Sequence, residues 1–171
     1  MVKNKTYNNV VNTLLRLGEY HQQISTTSVG DIWEIALGEK NTKFPLLHIN
    51  PTNVSTGDSQ LTYNFQIFVM DMVTERKNWT TNNASANFPK LVKTLNNEQD
   101  VLNEMLQVCT DFIGMLRHSS QQSLLGTNDI NEPIYFTQDQ FTIEPFSERF
   151  DNLCCGWVFN IGVLVQNDFQ T

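Results

Sequence analysis

Alternation is longest between Ser59 and Val73, where Leu61, Tyr63, Phe65, Ile67, Val69 and Asp71 fall on one side and Thr62, Asn64, Gln66, Phe68, Met70 and Met72 on the other. A period of two sustained over this length defines one long strand. Its second side begins polar and turns apolar, so the strand is covered on one face at its start and on both faces by its end. Cover for that second face has to come from another element of the chain or from another subunit.

Elsewhere the period changes. Tyr7, Val10, Val11, Leu14 and Leu17 recur at helical spacing and predict a helix over Asn4 to Gln23, with Gly18 and His21 on the same side. A glycine inside a helix lowers its propensity, so Gly18 marks a close approach of the backbone to a sheet or to a neighbouring chain. Ser25 to Lys43 has no clear period and reads as a short helix or strand between turns. Phe44 to Asn50 reads as a strand kept at a sheet edge or a strand start by Pro45, and Pro51 to Gln60 as a hairpin connection into the long strand. Asn97 is placed to cap a second helix, Glu98 to Arg117, with acidic residues first, Arg117 last, and a stripe of Val101, Leu102, Met105, Cys109, Phe112 and Leu116. Pro133 to Pro145 and Cys155 to Gln166 alternate again and predict an antiparallel pair joined around Phe146 to Leu153.

This order predicts an α+β fold: an antiparallel sheet of about four strands with two helices packed on one face. One domain, residues 1–171, carries an inserted arm at about 75–97. The arm holds six asparagines and the isolated anchors Trp79, Phe88, Leu91, Val92 and Leu95. Arg76, Lys77, Lys90 and Lys93 against Glu75 give it a local charge of +3 inside a chain of −7. It is either a solvated hairpin extension or a docking arm. The retained apolar anchors favour docking, with Arg76, Lys77, Trp79, Phe88, Lys90 and Lys93 as candidate subunit-interface residues.

The net charge of −7 argues against a surface that neutralises phosphates. No apolar run reaches the ~20 residues of a spanning helix, and the start of the chain lacks the pattern of a secretion signal, so no membrane association is expected. The three cysteines, Cys109, Cys154 and Cys155, have no disulfide or metal-ligand spacing and read as buried thiols. His21, His48 and His118 are too far apart to suggest a metal site. No nucleophile elbow and no phosphate-binding loop occur. Glu144 with Glu148, and Asp71 with Glu75, are carboxylate pairs of the kind glycoside hydrolysis uses, yet a solvated sheet end explains them equally. No enzyme activity, metal or cofactor is expected.

Several stretches carry a resemblance: Tyr7 to His21; Gly30-Asp31-Ile32-Trp33-Glu34-Ile35 followed by Phe44 to Ile49; Tyr63 to Asp71; Gln99 to Leu106 with Asp111-Phe112-Ile113; and Phe146 to Asn152 leading to Gly156-Trp157. In order and texture these resemble the small α+β virion proteins of tailed bacteriophages that form rings in the neck or tail, the tail terminator and tail-completion proteins among them. Within that group the chain is most similar to ring or tail-barrel proteins of crAss-like phages infecting Bacteroidetes. The resemblance implies a homo-oligomeric ring, hexamer or dodecamer, that connects the portal to the tail and encloses the DNA channel. It also implies portal and other neck and tail proteins as partners, DNA passing without specific binding, and assembly into the virion in the host cytoplasm. It supplies no catalytic residues. Tail terminators proper belong to long-tailed phages, whereas crAss-like phages have short tails, so the likeness describes a fold before a task. The alternative reading is a monomeric ligand-binding or adaptor domain.

Overall fold

A computed structural model of the chain describes residues 7–31, 43–73, 98–121, 135–138, 140–149 and 153–166. In chain order these form α1 (Tyr7–Tyr20), β1 (Thr26–Val29), β2 (Leu46–Thr56), β3 (Gln60–Met72), α2 (Glu98–Gln121), β4 (Tyr135–Thr137), β5 (Ile143–Arg149) and β6 (Leu153–Gln166). The fold is α+β: two helices and an open six-stranded sheet in the order β1-β2-β3-β6-β4, with β5 also paired to β6. β1 runs parallel to β2 and every other pairing is antiparallel.

The long alternating segment is the centre of this sheet. β3 pairs along its whole length with β6, from Gln60 opposite Gln166 to Met72 opposite Cys154. On its other side it pairs with β2. The hairpin joining β2 and β3 is tighter than the sequence predicts. β2 continues through Pro51 to Thr56, and the turn closes with Gly57 N–H donating to Gln60 O at 2.8 Å. Pro51 is tolerated because it lies beyond the last β1 pair, Val29 with Ile49, and the register slips by one residue at Thr52. Pro45, for its part, precedes a strand that is interior at its start.

The expected four-stranded sheet is corrected to six in two places. Thr26–Val29 forms a strand of its own, and the predicted strand Pro133 to Pro145 is replaced by two strands, β4 and β5, with pairing that extends to Arg149. Both lie along the side of β6 that β3 does not occupy. Between them the side chain of Gln138 takes the place of a strand residue: its Nε2 donates to Asn160 O at 2.8 Å and its Oε1 accepts from Gly162 N–H at 2.9 Å. One amide thus satisfies two backbone groups that the break would leave unpaired.

Both helices contribute to one core over one sheet face. α1 buries Val10, Leu14, Leu17 and Gly18; α2 buries Val101, Met105, Val108, Cys109, Phe112, Ile113 and Leu116. They cluster with Leu47, Ile49, Phe65, Ile67, Val69, Phe159, Ile161 and Val163. Gly18 faces the sheet, as one of its two predicted readings has it: a Cβ there would stand 3.1 Å from Thr27 Cγ2 and Oγ1. Trp157 joins sheet to helix, its Nε1 donating to Leu102 O at 2.6 Å.

The second face follows the two-sided reading of β3 as far as Met70, whereas Met72 at the end of the strand is 36% exposed and corrects the expectation of cover there. Thr62, Asn64 and Gln66 are partly exposed, while Phe68 and Met70 are buried with Leu46 and Cys154, packed against Phe44, Phe146 and Val158. Met70 is 0% and Leu46 1% exposed in the isolated chain. Phe68 and Met70 therefore need no second subunit to hide them.

Candidate functional site

Arg76, Lys77, Trp79, Phe88, Lys90 and Lys93, the residues predicted for a subunit interface, lie outside the described residues, as do Asn97 and the whole arm at 75–97. The described residues with chemistry lie in the sheet, at its margins and on the two helices.

His48 is the one buried polar residue of the described core, at 2% exposure. It stands on β2 directly opposite Ser28 of β1. Its Nδ1 lies 2.7 Å from Ser28 Oγ and its Nε2 2.7 Å from Gly30 O. A carbonyl only accepts, so Nε2 carries the proton, and in the neutral ring Nδ1 accepts from the serine hydroxyl. Gly30 adopts φ 138°, a conformation that disfavours side chains, and this turns its carbonyl at the end of β1. A serine, a histidine and an orienting carbonyl have the outline of a nucleophile pair. Here, however, the imidazole is buried beside its cross-strand neighbour Phe68, with ring centroids 6.3 Å apart, and both its nitrogens serve to tie β1 to β2. The arrangement is a satisfied core histidine. His21 is likewise structural: its Nε2 meets Asp111 Oδ2 at 3.0 Å and bridges the end of α1 to α2.

Glu75, the predicted partner of Asp71, lies outside the described residues. Glu144 is exposed on β5 opposite Val158, and Glu148 lies further along the same strand opposite Cys154. Asp71 sits on β3 opposite Cys155, its Oδ1 accepting from Met72 N–H at 2.8 Å. Burial pushes the Asp71 carboxyl above its ordinary value of 3.8; Glu104 adds to the rise and the Met72 N–H opposes it. A raised folded value means that protonation favours the fold, so this stabilisation is complete below about pH 3.8 and is lost as pH climbs through the raised value. Asp71→Asn, which keeps an acceptor for Met72, is therefore expected to raise the urea midpoint at pH 7, with the advantage fading as the pH is lowered to 3.5. An unchanged midpoint at pH 7 would show that the carboxylate is not strained.

The thiols are inert by the same physics. Burial raises Cys109 to about 12, Cys155 to about 12 with help from Glu98, and Cys154 to about 11 with help from Asp71. Thiolate is the reacting species, so the native chain is expected to give almost no colour with an aromatic disulfide reagent at pH 8, and three thiols per chain in denaturant. Rapid reaction of even one thiol in the folded protein would contradict the burial.

Among the described residues no group of His, Cys, Asp and Glu is placed to hold a metal ion, and no helix is long and apolar enough to cross a membrane. The sequence matches no known family model and no curated protein.

The sheet margins differ in character. One consists of β1 and, beyond it, the part of β2 from Asn50 to Thr56 that β1 does not reach. It contains no charged residue. The other consists of β4, also uncharged, and β5, which carries Glu144, Pro145, Glu148 and Arg149. Charges and proline guard an edge against indiscriminate pairing without removing its backbone groups from one specific partner; uncharged β-forming residues leave it open. The outer side of α2 is exposed at Asp100, Glu104, Asp111 and Arg117, an acidic surface.

Proposed function

We propose that the chain is a structural subunit that assembles with its own copies into a ring in the neck or tail of a tailed bacteriophage. The ring links the portal to the tail around the DNA channel. The observation that carries this reading is the direction of the strands at the two margins of an open sheet. β1 and β2 run one way, β4 and β5 the other. A copy placed side by side, with strand directions kept, brings β5 antiparallel to β1. The heights also match: Ile143 lies on the row Phe159, Ile67, Ile49, Val29, and Phe146 on the row Gly156, Met70, Leu46, Thr26. Such a contact joins two different edges, so it propagates and closes as a ring when the rotation closes. The acidic outer side of α2 suits a wall past which DNA slides, since like charge opposes adhesion. The resemblance to phage ring proteins in segment order supplies the location, the portal and tail partners, and the hexamer or dodecamer as the expected assembly.

Light scattering on the purified chain, followed by negative-stain imaging, tests the reading. The expected result is a closed ring with a central opening. A monomer that persists at about 100 µM, far above the micromolar scale of ordinary specific association, would overturn it.

A further inference from the structure

We infer, resting on the ring contact proposed above, that Glu144 of one copy seats on Ser28 of the next and completes a proton-linked chain, Glu144–Ser28–His48, across each joint. Within one chain Glu144, Val158, Phe68, His48 and Ser28 share a single row across β5, β6, β3, β2 and β1. Repeating the sheet sideways at unchanged height sets the next Glu144 beside Ser28. Glu144 is exposed and Ser28 partly so, and both can make the contact.

The edge of β1 is phased to receive a strand. Its Thr26 and Gly30 N–H groups are committed to β2, bonded to Pro45 O at 3.3 Å and Ile49 O at 3.0 Å. By alternation Thr27 and Val29 turn their N–H and C=O groups outward. The same height that sets Ser28 opposite Glu144 sets Val29, 39% exposed, opposite the partly exposed Ile143, on the face that carries the helices. An apolar pair forms on one face and a hydroxyl meets a carboxylate on the other, the kind of cross-strand match that fixes a register. A slip of two residues toward the end of β5 would put Pro145 opposite Val29 and the Phe146 ring against the Ser28 hydroxyl, losing both.

Ser28 has one proton to give. In the isolated chain it goes to His48 Nδ1 across 2.7 Å, while His48 Nε2 donates to Gly30 O. A carboxylate arriving on the other side of the hydroxyl competes for that proton, and the charge-assisted bond is the stronger one. Ser28 Oγ–H turns to Glu144; Nδ1 then takes a proton from solvent and donates it back to Ser28 Oγ. The imidazolium is answered by a carboxylate one residue away, the pairing a buried charge requires. One negative charge is offset at each joint, which lessens the repulsion between copies of −7. The other ionisable groups around this row are Asp31 beyond Gly30, Lys43, whose backbone N–H bonds Thr26 Oγ1, and the opposed pair Glu148 and Cys154 further along β5 and β6. Burial raises the Cys154 thiol to about 11, so it keeps its proton throughout the range tested.

Ser28→Cys and Glu144→Cys proteins, mixed and oxidised, are expected to give a disulfide-linked pair that neither gives alone, and Ser28→Cys with Glu148→Cys to give none. Val29→Cys with Ile143→Cys repeats the test while leaving the Ser28 hydroxyl in place. Sedimentation of the parent chain should show the association constant per joint rising as pH falls from about 8 toward the ordinary imidazole value of about 6.5, by up to about tenfold per pH unit, the limit for one proton taken up. Glu144→Gln and His48→Gln, which keep His21 and His118, should flatten that rise. Rings that form with neither cross-link would overturn the seat and leave the ring reading standing, whereas cross-links in open chains would uphold the seat and sink the ring. Association that ignores pH in the parent, or still follows it in either glutamine variant, would overturn the proton link. A chain that stays monomeric across this range would remove both readings.

Discussion

Replacing Gly156 with alanine is expected to destabilise the fold by more than about 3 kcal/mol, at or beyond the upper end of ordinary overpacking. Gly156 lies on β6 between Met70 of β3 and Phe146 of β5. A Cβ there would run into the Val69 carbonyl oxygen and stand 2.8 Å from both Met70 Cα and the Val69 carbonyl carbon. These are backbone atoms of the central strand, so no rotamer change relieves the collision. β6 would have to lift away from β3, and the ladder between them unites the two halves of the sheet. The missing side chain also lets Phe146 lean over β6 to meet Phe68 edge-on, with centroids 5.4 Å apart at 90°. Two other glycines give the contrast. Gly162 would bring its Cβ to 3.1 Å from Asn64 Oδ1, a side-chain atom that can move. Gly114 is exposed on α2 with nothing within 4 Å, so alanine there should stabilise by about 0.5–1 kcal/mol. Urea unfolding of the three alanine variants should rank them in that order. A Gly156→Ala midpoint equal to the parent's would refute the packing of β6 on β3.

Much of this architecture can be read from periodicity. The long strand is legible because its two faces differ, and because burial follows the change from Thr62, Asn64 and Gln66 to Phe68 and Met70. Both helices are legible from their stripes, although Val108, fully buried, is missed beside Cys109. β1 is not legible as a strand: Thr-Thr-Ser-Val has one large apolar residue, and its parallel pairing with β2 leaves no hairpin signal. The split between β4 and β5 is hidden for another reason. The alternation of Ile134, Phe136, Phe141 and Ile143 suggests continuity, whereas the break is sustained by the amide of Gln138, a contact that sequence does not announce. The role of His48 depends on Ser28 and Gly30, which only the pairing of β1 brings to it. As for assembly, sequence pointed to the basic arm and to an uncovered face. Phe68 and Met70 on that face are buried within one chain, and the sheet edges emerge only from strand order.

Phe112→Ala carries the second large expected effect, about 3–5 kcal/mol, the range for emptying a buried phenylalanine site. Phe112 is fully buried on α2 and lies 6.1 Å, centroid to centroid, from Phe159 of β6. Phe159 meets Phe141 edge-on at 6.0 Å, and Arg117 stands over the Phe141 ring at 5.3 Å. The ring of Phe112 is thus the inner member of a chain of contacts that locks the second half of α2 to the sheet. The first half has other anchors, the Trp157 hydrogen bond to Leu102 O and the contact of Cys155 Sγ with Glu98 O at 3.7 Å. Loss of Phe112 should therefore be felt unevenly. Hydrogen exchange is expected to quicken from Val108 to Arg117 well before it does in Val101 to Met105, while the β2–β3 ladder keeps its protection until global unfolding. Phe112→Leu, which retains most of the apolar volume, should fall between the parent and the alanine variant. A loss below about 1 kcal/mol for Phe112→Ala, beneath even mild core truncations, would mean that the second half of α2 is not packed on β6.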